Sequence, residues 1–293
     1  MLSIIITAFK EPAIDKAIRA IVTQKIPEEY ELIVAAPDEE TKLVVEKFAK
    51  RYPQVKYFKD PGKGKSFALN LLFKKVKGRI LIFTDGDVYL GEGAVSELVK
   101  PFANPSIGVV SGRVVSANSK EDMLGYWSHL LCDAGAHSVR QELYENEKFL
   151  ECTGYLFAIR ANVVTEIPVD VAEDTIIPYY FWKAGHRIAY AQDAVVYVKW
   201  PTNFNDWIKQ KTRTIKAHEK LTNYVPDFPK VKSFANEAAK GWYRALMYPK
   251  NAKEFAWTLA LFPARGYVWL NAATMRMTNK YYTDAWEKAE STR

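Results

Sequence analysis

The feature that most constrains the fold is the alternation of apolar runs and helical patterns in the first part of the chain. Largely apolar runs at Leu2–Thr7, 31–36 and 79–84 predict strands that are buried on both faces. Apolar residues at helical spacing lie between these runs, over Ile14–Val22 and 40–51. Strands and helices that alternate at this spacing predict an α/β fold, with a mostly parallel sheet flanked by helices.

The remaining elements are predicted from shorter patterns. A short strand is expected at 55–58, and Ser66 is expected to cap the helix that follows it. Further helices are predicted at 93–102, 123–148, 175–184 and 207–221, and further strands at 107–115, 152–159, 187–190 and 194–198.

The strand at 79–84 ends in two carboxylates that are separated by a glycine, Asp85, Gly86 and Asp87. Ligands of open α/β sheets bind beyond the carboxyl ends of the strands. Gly86 permits a sharp turn, so both carboxylates can face one point. Two hard oxygen donors suit Mn²⁺ or Mg²⁺ on a substrate diphosphate. The alternative is a simple turn, because Asp-Gly is a common hairpin signal.

Two stretches near the early strands favour a ligand that contains phosphate. Lys63, Gly64 and Lys65 precede a helix, whose first N–H groups and dipole attract phosphate. The glycine spacing is not that of a Walker loop, and a solvated basic turn is the alternative. Glu11 and Asp38 each follow a strand, where a carboxylate can bind a nucleobase or ribose or can simply be a surface acid.

Two motifs in the second half supply candidate catalytic groups. Glu173 and Asp174 open a helix, where an acid either caps the helix or, in a cleft, takes a proton from an acceptor hydroxyl. Gln210 and Arg213 lie three residues apart and share one helix face. The Arg213 guanidinium could bind a departing diphosphate in a bidentate manner, and a structural arginine is the alternative.

In this order along residues 1–220, the motifs resemble those of family 2 glycosyltransferases with the Rossmann-like GT-A fold, in particular the cellulose and hyaluronan synthase branch. The resemblance implies that Asp85 and Asp87 form a D-x-D motif, which contacts the nucleotide sugar and its metal. It implies that Asp174 is the catalytic base. It also implies that Gln210 and Arg213 belong to a Q-x-x-R-W motif where donor and acceptor meet.

The resemblance also divides the predicted site into two sides. The donor side comprises Ala8, Glu11, Asp38, Lys65, Asp85, Gly86 and Gln210, and the acceptor side comprises Cys152, Thr153, Gly154 and Glu173. We expect a nucleotide-sugar-binding half at 1–115, an acceptor half at 116–220 and a helical extension at 221–293.

The implied reaction is an inverting displacement on a UDP- or GDP-linked sugar. Asp174 would deprotonate an acceptor hydroxyl that attacks the anomeric carbon, while the metal ion and Arg213 stabilise the departing diphosphate. Thr214 stands where the family has tryptophan, and Cys152-Thr153-Gly154 lacks a glycine at its usual place. The tail shows no pattern of a multi-helix channel. These departures favour transfer of one sugar.

Three other functions compete with this interpretation. A processive polysaccharide synthase would use the same motifs, and product length would distinguish it. A non-catalytic scaffold that binds sugar nucleotides would not need Asp174 beside the donor. A nucleotidyltransferase would open with a glycine-rich loop after the first strand, and residues 7–11 contain no glycine.

The tail from residue 242 to 275 suggests a membrane surface. Its apolar segments, 255–262 and 267–270, are interrupted by Pro263, Arg265 and Gly266, which makes a poor transmembrane helix. Tryptophan and tyrosine next to basic residues suit the headgroup region, and packing on the main domain or a second subunit is the alternative. The acceptor is then expected to be a lipid-linked glycan or polyprenyl phosphate.

Charge and cysteine content bear on partners and location. The 41 basic and 34 acidic residues give a net charge of +7, which suits anionic ligands or an anionic membrane. No pattern supports nucleic-acid binding. The two cysteines cannot form a disulfide framework, and none of the four histidines has metal-ligand spacing. No signal segment precedes the first strand. We expect a cytoplasmic protein, peripheral on the cytosolic face of a membrane.

Overall fold

The computed structural model describes residues 1–229, 241–277 and 290–292. Strands of these residues form one mixed sheet in the order β3-β2-β1-β4-β7-β6-β8-β5. The strands are β1 (Leu2–Thr7), β2 (Tyr30–Ala36), β3 (Val55–Lys59), β4 (Ile80–Asp85), β5 (Val88–Leu90), β6 (Ile107–Ser116), β7 (Leu156–Arg160) and β8 (Arg187–Val198). The predicted α/β fold, with a mostly parallel sheet between helices, is confirmed.

Parallel pairing brings the strand ends that carry the predicted motifs to one edge. Strands β3, β2, β1 and β4 are parallel to one another, and Thr7 pairs with Ala35 on one side and Asp85 on the other. Strand β7 runs antiparallel to β4, with Thr84 opposite Leu156. The residues just before β7 therefore lie at the same edge as the end of β4.

Helices cover both faces of the sheet. They are α1 (Ile14–Val22), α2 (Glu39–Ala49), α3 (Lys65–Leu72), α4 (Ala94–Val99), α5 (Met123–Leu130), α6 (Ser138–Glu145), α7 (Glu173–Lys183), α8 (Phe204–Lys216), α9 (Leu221–Tyr224), α10 (Trp242–Met247) and α11 (Ala252–Met277). Successive side chains of a strand point to opposite faces. Ile4 and Ile6 accordingly belong to one buried cluster and Ile5 to the other.

Several predicted elements need correction. Helix α3 begins at Lys65 with Gly64 at its N-cap, so Ser66 is a buried residue of the first turn and the predicted serine cap is wrong. Gly64 can occupy that position because its φ of 104° is open to glycine. The strands predicted at 187–190 and 194–198 are one strand, β8, whose hydrogen bonding to β6 continues across a register shift. Strand β5 was not predicted.

The helix predicted at 123–148 is interrupted by a π-helix. Helix α5 passes into the π-helix Leu131–His137, and α6 follows directly. The segment predicted to be extended at 152–159 pairs as a strand only from Leu156 onward, and that strand, β7, continues to Arg160. The residues before β7 form a loop at the carboxyl edge of β4. A π-helical turn between α-helices, such as Leu131–His137, is often found at a functional site.

The tail forms one long helix where the sequence predicted two interrupted segments. Helix α11 continues through Pro263, and its Leu261 and Val268 pack against Trp127 of α5 and Trp207 of α8. These buried contacts outweigh the helix-breaking tendency of proline, which costs about 3 kcal/mol in a helix interior. Within the described ranges, none of the helices has the length and apolarity needed to cross a bilayer. The rest of the predicted extension, 230–240, 278–289 and 293, lies outside the described residues.

Candidate functional site

The acidic pair lies at the carboxyl edge of the sheet, where the ends of β1 and β4 meet. The Thr7 hydroxyl donates a hydrogen bond to Asp85 Oδ1 at 3.0 Å. The Gly86 N–H donates to the Thr7 carbonyl at 2.9 Å. A Cβ atom at position 86 would lie 2.8 Å from Cβ of Ala8, so a side chain there would collide with β1. Ala8 is buried and supports the turn between Asp85 and Asp87.

Lys65 connects the acidic pair with the predicted acceptor side. Its Nζ lies 2.8 Å from Asp85 Oδ1 and 2.6 Å from Glu173 Oε1. It also donates a hydrogen bond to the Gly154 carbonyl at 3.1 Å. Burial lowers the pKa of Lys65, but the charges of Asp85 and Glu173 outweigh it and raise the pKa well above its usual value. Lys65 is therefore a cation that holds two carboxylates together. Lys63 is exposed and fits the solvated basic turn.

Asp174 lies against the same loop. A Cβ atom at Gly154 would be 3.3 Å from Asp174 Oδ2 and 3.5 Å from Glu173 Oε1, so both carboxylates pack on this glycine. The Cys152 N–H donates to the Asp174 carbonyl at 3.0 Å. Because Lys65 contacts both Gly154 and Asp85, the fold brings Asp174 and the acidic pair to one cluster.

Hydrogen bonds to its backbone hold the acceptor-side segment in place. The side chains of Cys152 and Thr153 are buried, and the Thr153 N–H donates to the Ser111 hydroxyl at 3.1 Å. Burial raises the pKa of the Cys152 thiol far above its usual value, which keeps the thiol protonated. The Arg140 guanidinium donates hydrogen bonds to the carbonyls of Glu151 and Cys152 at 2.9 and 3.1 Å. These contacts fix the path of the loop before β7.

Two carboxylates on the donor side shape the loop after β1. Asp38 caps α2 by accepting from the Thr41 N–H at 2.9 Å, and it also accepts from the Lys10 N–H at 2.9 Å. Burial raises the pKa of Asp38, but these hydrogen bonds outweigh it and lower the pKa. Glu11 is buried, and its Oε1 accepts from the Ala13 N–H at 3.1 Å. Both side chains thus hold the backbone of the loop after β1.

Tyr155, which no sequence motif singled out, lies near the acidic pair and near Arg213 of helix α8. Burial raises the pKa of Tyr155, the charges of Asp87 and Asp85 raise it further, and Arg213 lowers it. These charges therefore surround one phenol. The only sequence signal for Tyr155 is its place directly after Cys152-Thr153-Gly154.

Trp200 packs beside Tyr155, and no sequence motif singled it out either. Its ring packs edge-on against Tyr155, with the ring centroids 5.9 Å apart. The Lys211 ammonium lies 4.3 Å from the centroid of the same indole. Arg213 is exposed, and the buried Oε1 of Gln210 accepts no hydrogen bond from the described part of the chain. Helix α8 thus brings Lys211 onto Trp200 and Arg213 near Tyr155, and Gln210 directly precedes Lys211 on the same helix.

The carboxylates of the cleft provide an incomplete set of metal ligands. No group of three or more His, Cys, Asp or Glu side chains in the described ranges could hold a metal ion. Asp85 and Asp87 together offer two hard oxygen ligands. A divalent ion such as Mg²⁺ usually completes its shell with water and substrate phosphate oxygens, so these two carboxylates fit a metal that arrives with a diphosphate.

Comparisons with known proteins bear on the family and the fold of the chain. A sequence profile described as "Glycosyltransferase like family 2" matches residues 1–217. The probable glycosyltransferase YdaM of Bacillus subtilis (strain 168) is 25% identical over 244 residues, 78% of this chain and 58% of that protein. A hyaluronan synthase of Streptococcus pyogenes is 24% identical over 169 residues, 53% of this chain and 40% of that protein. The chain thus spans little more than half the length of the first relative and less of the second.

A solved structure shows the same fold. It is the mannosyltransferase PcManGT from Pyrobaculum calidifontis, in complex with GDP-Man and Mn²⁺. Its TM-score is 0.58 with 19% sequence identity, and the match covers 94% of this chain and 80% of that one. The profile match spans most of the chain and the fold agrees. The chain therefore belongs to glycosyltransferase family 2 and has the GT-A fold.

Proposed function

We propose that this glycosyltransferase transfers a single sugar, with inversion, from a UDP- or GDP-linked donor to an acceptor hydroxyl or phosphate. The observation that carries the proposal is the position of Lys65. Its contacts to Asp85, Glu173 and Gly154 join the donor-side acidic pair to the segment that carries Asp174. A transferase needs its donor site and its base within reach of one sugar carbon.

The donor diphosphate would bind at the end of β4. The carboxylates of Asp85 and Asp87 would hold Mn²⁺ or Mg²⁺, which when bound supplies Lewis-acid stabilisation of the departing diphosphate. PcManGT was solved with GDP-Man and Mn²⁺, which supports a metal-bound sugar nucleotide here. The backbone of the Lys10 loop, which Asp38 holds, would contact the nucleoside.

The reacting sugar would lie between Gly154 and helix α8. Asp174 would take the proton of the acceptor hydroxyl, because its carboxylate packs against the acceptor-side loop. The exposed Arg213 guanidinium would offset the negative charge that develops on the leaving diphosphate. Tyr155 and Trp200 would provide the wall that limits access of water.

The choice between one transfer and polymerisation depends on the acceptor side. The relatives include hyaluronan synthase, so a processive synthase is the second candidate. Thr214 follows Arg213 and is exposed, where the family motif has a tryptophan that would stack on an acceptor sugar. A small side chain provides less surface to hold a growing polymer, which favours release after one transfer.

The acceptor would be presented at a membrane surface. Phe255, Leu259, Phe262 and Leu270 are exposed on one face of α11, opposite the face that packs on α5 and α8. Lys250 and Lys253 are exposed near the N-terminal end of α11. Large apolar side chains next to basic residues fit the headgroup region of an anionic bilayer. A lipid-linked glycan or polyprenyl phosphate is the corresponding acceptor class.

A thermal-shift panel tests the proposed donor. UDP, GDP, CDP and their sugars, each with Mn²⁺, would be compared, and one nucleotide sugar should raise the Tm. Release of the nucleoside diphosphate from that sugar without an acceptor should then be detectable. Binding without any release would instead support a scaffold, and long products would support a synthase. If no sugar nucleotide changes the Tm or is consumed, the proposal is wrong.

A further inference from the structure

A buried hydrogen-bonded pair, Glu151 and His218, lies behind the Asp174 segment and joins it to helix α8. Glu151 directly precedes the acceptor-side loop and is 3% exposed. Its Oε2 lies 3.0 Å from Nε2 of His218, the second residue after α8. The Thr175 hydroxyl lies 3.3 Å from the same oxygen and 3.2 Å from His218 Nε2. Three residues from separate parts of the chain therefore meet at one point.

The hydrogen bonds of His218 require a proton between the imidazole and Glu151. Nδ1 lies 3.0 Å from the Thr214 carbonyl, which can only accept, so Nδ1 carries a proton. Nε2 and the carboxylate oxygen, 3.0 Å apart, then share one further proton. The pair is an imidazolium with a carboxylate, or an imidazole with a carboxylic acid. In either form, loss of the imidazole removes this hydrogen bond from the buried Glu151 side chain, which lowers the free energy of unfolding.

This pair adjoins both groups that are proposed to act in transfer. The Thr175 hydroxyl lies 3.4 Å from Asp174 Oδ1. Thr214, whose carbonyl holds the imidazole, directly follows Arg213 on α8. In addition, the Ala172 N–H lies 3.4 Å from the Ala217 carbonyl, so the end of α8 contacts the start of α7 through main chain as well.

We propose that His218, paired with Glu151, is a positioning residue that sets the distance between Asp174 and Arg213. This inference rests on the proposed function, because it assigns Asp174 and Arg213 to one reaction. His218 acts through Thr175 on the Asp174 carboxylate and through Thr214 on helix α8. It contacts neither donor nor acceptor, so its loss changes turnover more than donor affinity.

Three variants separate positioning from packing. His218→Ala should lower kcat for nucleoside diphosphate release about 10- to 100-fold, with little change in the KM for the sugar nucleotide. Glu151→Gln should stay close to wild type, because a glutamine amide can donate to a neutral imidazole. The double variant H218A/E151Q should have a higher Tm and kcat than H218A, because it removes the buried acid that lost the imidazole.

The measurements use the full chain with Mn²⁺ and the UDP- or GDP-linked sugar that stabilises the wild type most. His218→Gln, which keeps a donor toward Glu151, should fold and retain more activity than H218A. His186→Ala is the matched control, because His186 follows the opposite end of α7 and packs on Phe181. Its kcat should equal that of the wild type.

Two results would overturn this inference. One is a wild-type kcat in H218A, and the other is a double variant with no gain in Tm or kcat over H218A. A failure of the proposed function is distinguishable, because the wild type would then release no nucleoside diphosphate. The Tm values of the variants would still test the Glu151–His218 pair in that case.

Discussion

Asp174 is the residue on which the proposed chemistry depends most. Its carboxylate packs on Gly154, whose carbonyl accepts from Lys65, and Lys65 pairs with Asp85. The proposed base and the proposed donor-side carboxylate are thus joined through one lysine. The charges of Asp85 and Glu173 outweigh burial and raise the pKa of Lys65 well above its usual value. The ammonium therefore stays charged and holds these carboxylates at any ordinary pH.

Asp174→Asn should abolish transfer while donor binding survives. An amide cannot take the acceptor proton, and loss of a positioned base typically costs about 10²–10⁴ in rate. Transfer of labelled sugar and calorimetric binding of the sugar nucleotide would be measured together. Asp170→Asn is a suitable control, because that carboxylate pairs with Lys220 and Tyr224. Near-normal turnover in D174N would show that another group is the base.

Asp87→Ala should weaken donor binding in the presence of Mn²⁺ and leave donor binding without metal unchanged. Removal of one of two carboxylate ligands should reduce the gain in affinity from Mn²⁺ at least about tenfold. Titration calorimetry of the sugar nucleotide with and without Mn²⁺ would measure this gain. Asp193→Ala, at an exposed position of β8, provides the comparison. An unchanged Mn²⁺ effect in D87A would exclude Asp87 as a ligand.

At the scale of elements, the candidate site is formed by residues at the starts of helices and at the ends of strands. Helix α3 begins with Lys65, helix α7 begins with Glu173 and Asp174, and α2 is capped by Asp38. All these starts lie at the carboxyl edge of the parallel strands, where ligands of such a sheet bind. A change in a helix start therefore alters the cleft directly.

The Asp38 cap should make stability depend on pH in the acid range. Hydrogen bonds lower the pKa of Asp38 in the native state, so its stabilisation is present above the unfolded pKa of about 3.9. That contribution is lost as the pH falls through the lowered native pKa. Asp38→Ala should cost about 1 kcal/mol at pH 7, and the cost should shrink toward pH 3.

Denaturant unfolding of wild type and D38A at several pH values would measure this difference. Asp15→Ala is the matched control, because Asp15 lies in the first turn of α1, where the N-cap makes no side-chain hydrogen bond. Its cost should be small at every pH. A cost for D38A that stays constant down to pH 3 would contradict the assignment of the cap.

At the scale of the whole molecule, one face of α11 packs on the domain and the opposite face is exposed to solvent. Leu261, Ala264 and Val268 are buried, and the Trp127 indole N–H donates to the Trp257 carbonyl at 2.7 Å. The packing alternative for the tail therefore applies to one face of the helix. The opposite face remains exposed and forms the proposed membrane contact.

Wild-type protein should float with liposomes that contain anionic lipid. Leu259→Glu and Leu270→Glu should each reduce the floating fraction, because a charge replaces an apolar side chain on the exposed face of α11. Leu43→Glu is the matched control, since Leu43 is a leucine of similar exposure on α2. If the wild type does not float, or if all three variants float equally, the membrane proposal for α11 is wrong.

The sequence by itself determined the parallel half of the sheet and the acidic residues at its carboxyl edge. The bounds of β1 and α1 were predicted to the residue, because buried runs and helical periodicity are local properties of a chain. The acidic pair at the end of β4 and the Glu173-Asp174 start of α7 could likewise be located from residue type and spacing. The start of α3 could not, because glycine rather than serine occupies its N-cap.

Only the tertiary structure decided how these parts meet. Lys65 bridges carboxylates from β4 and α7, Tyr155 and Trp200 form a wall beside the acidic pair, and α11 continues through Pro263. Each of these outcomes depends on contacts between residues that are far apart in the chain. Such contacts offset local costs, such as a proline within a helix or a buried lysine, and no local pattern records them.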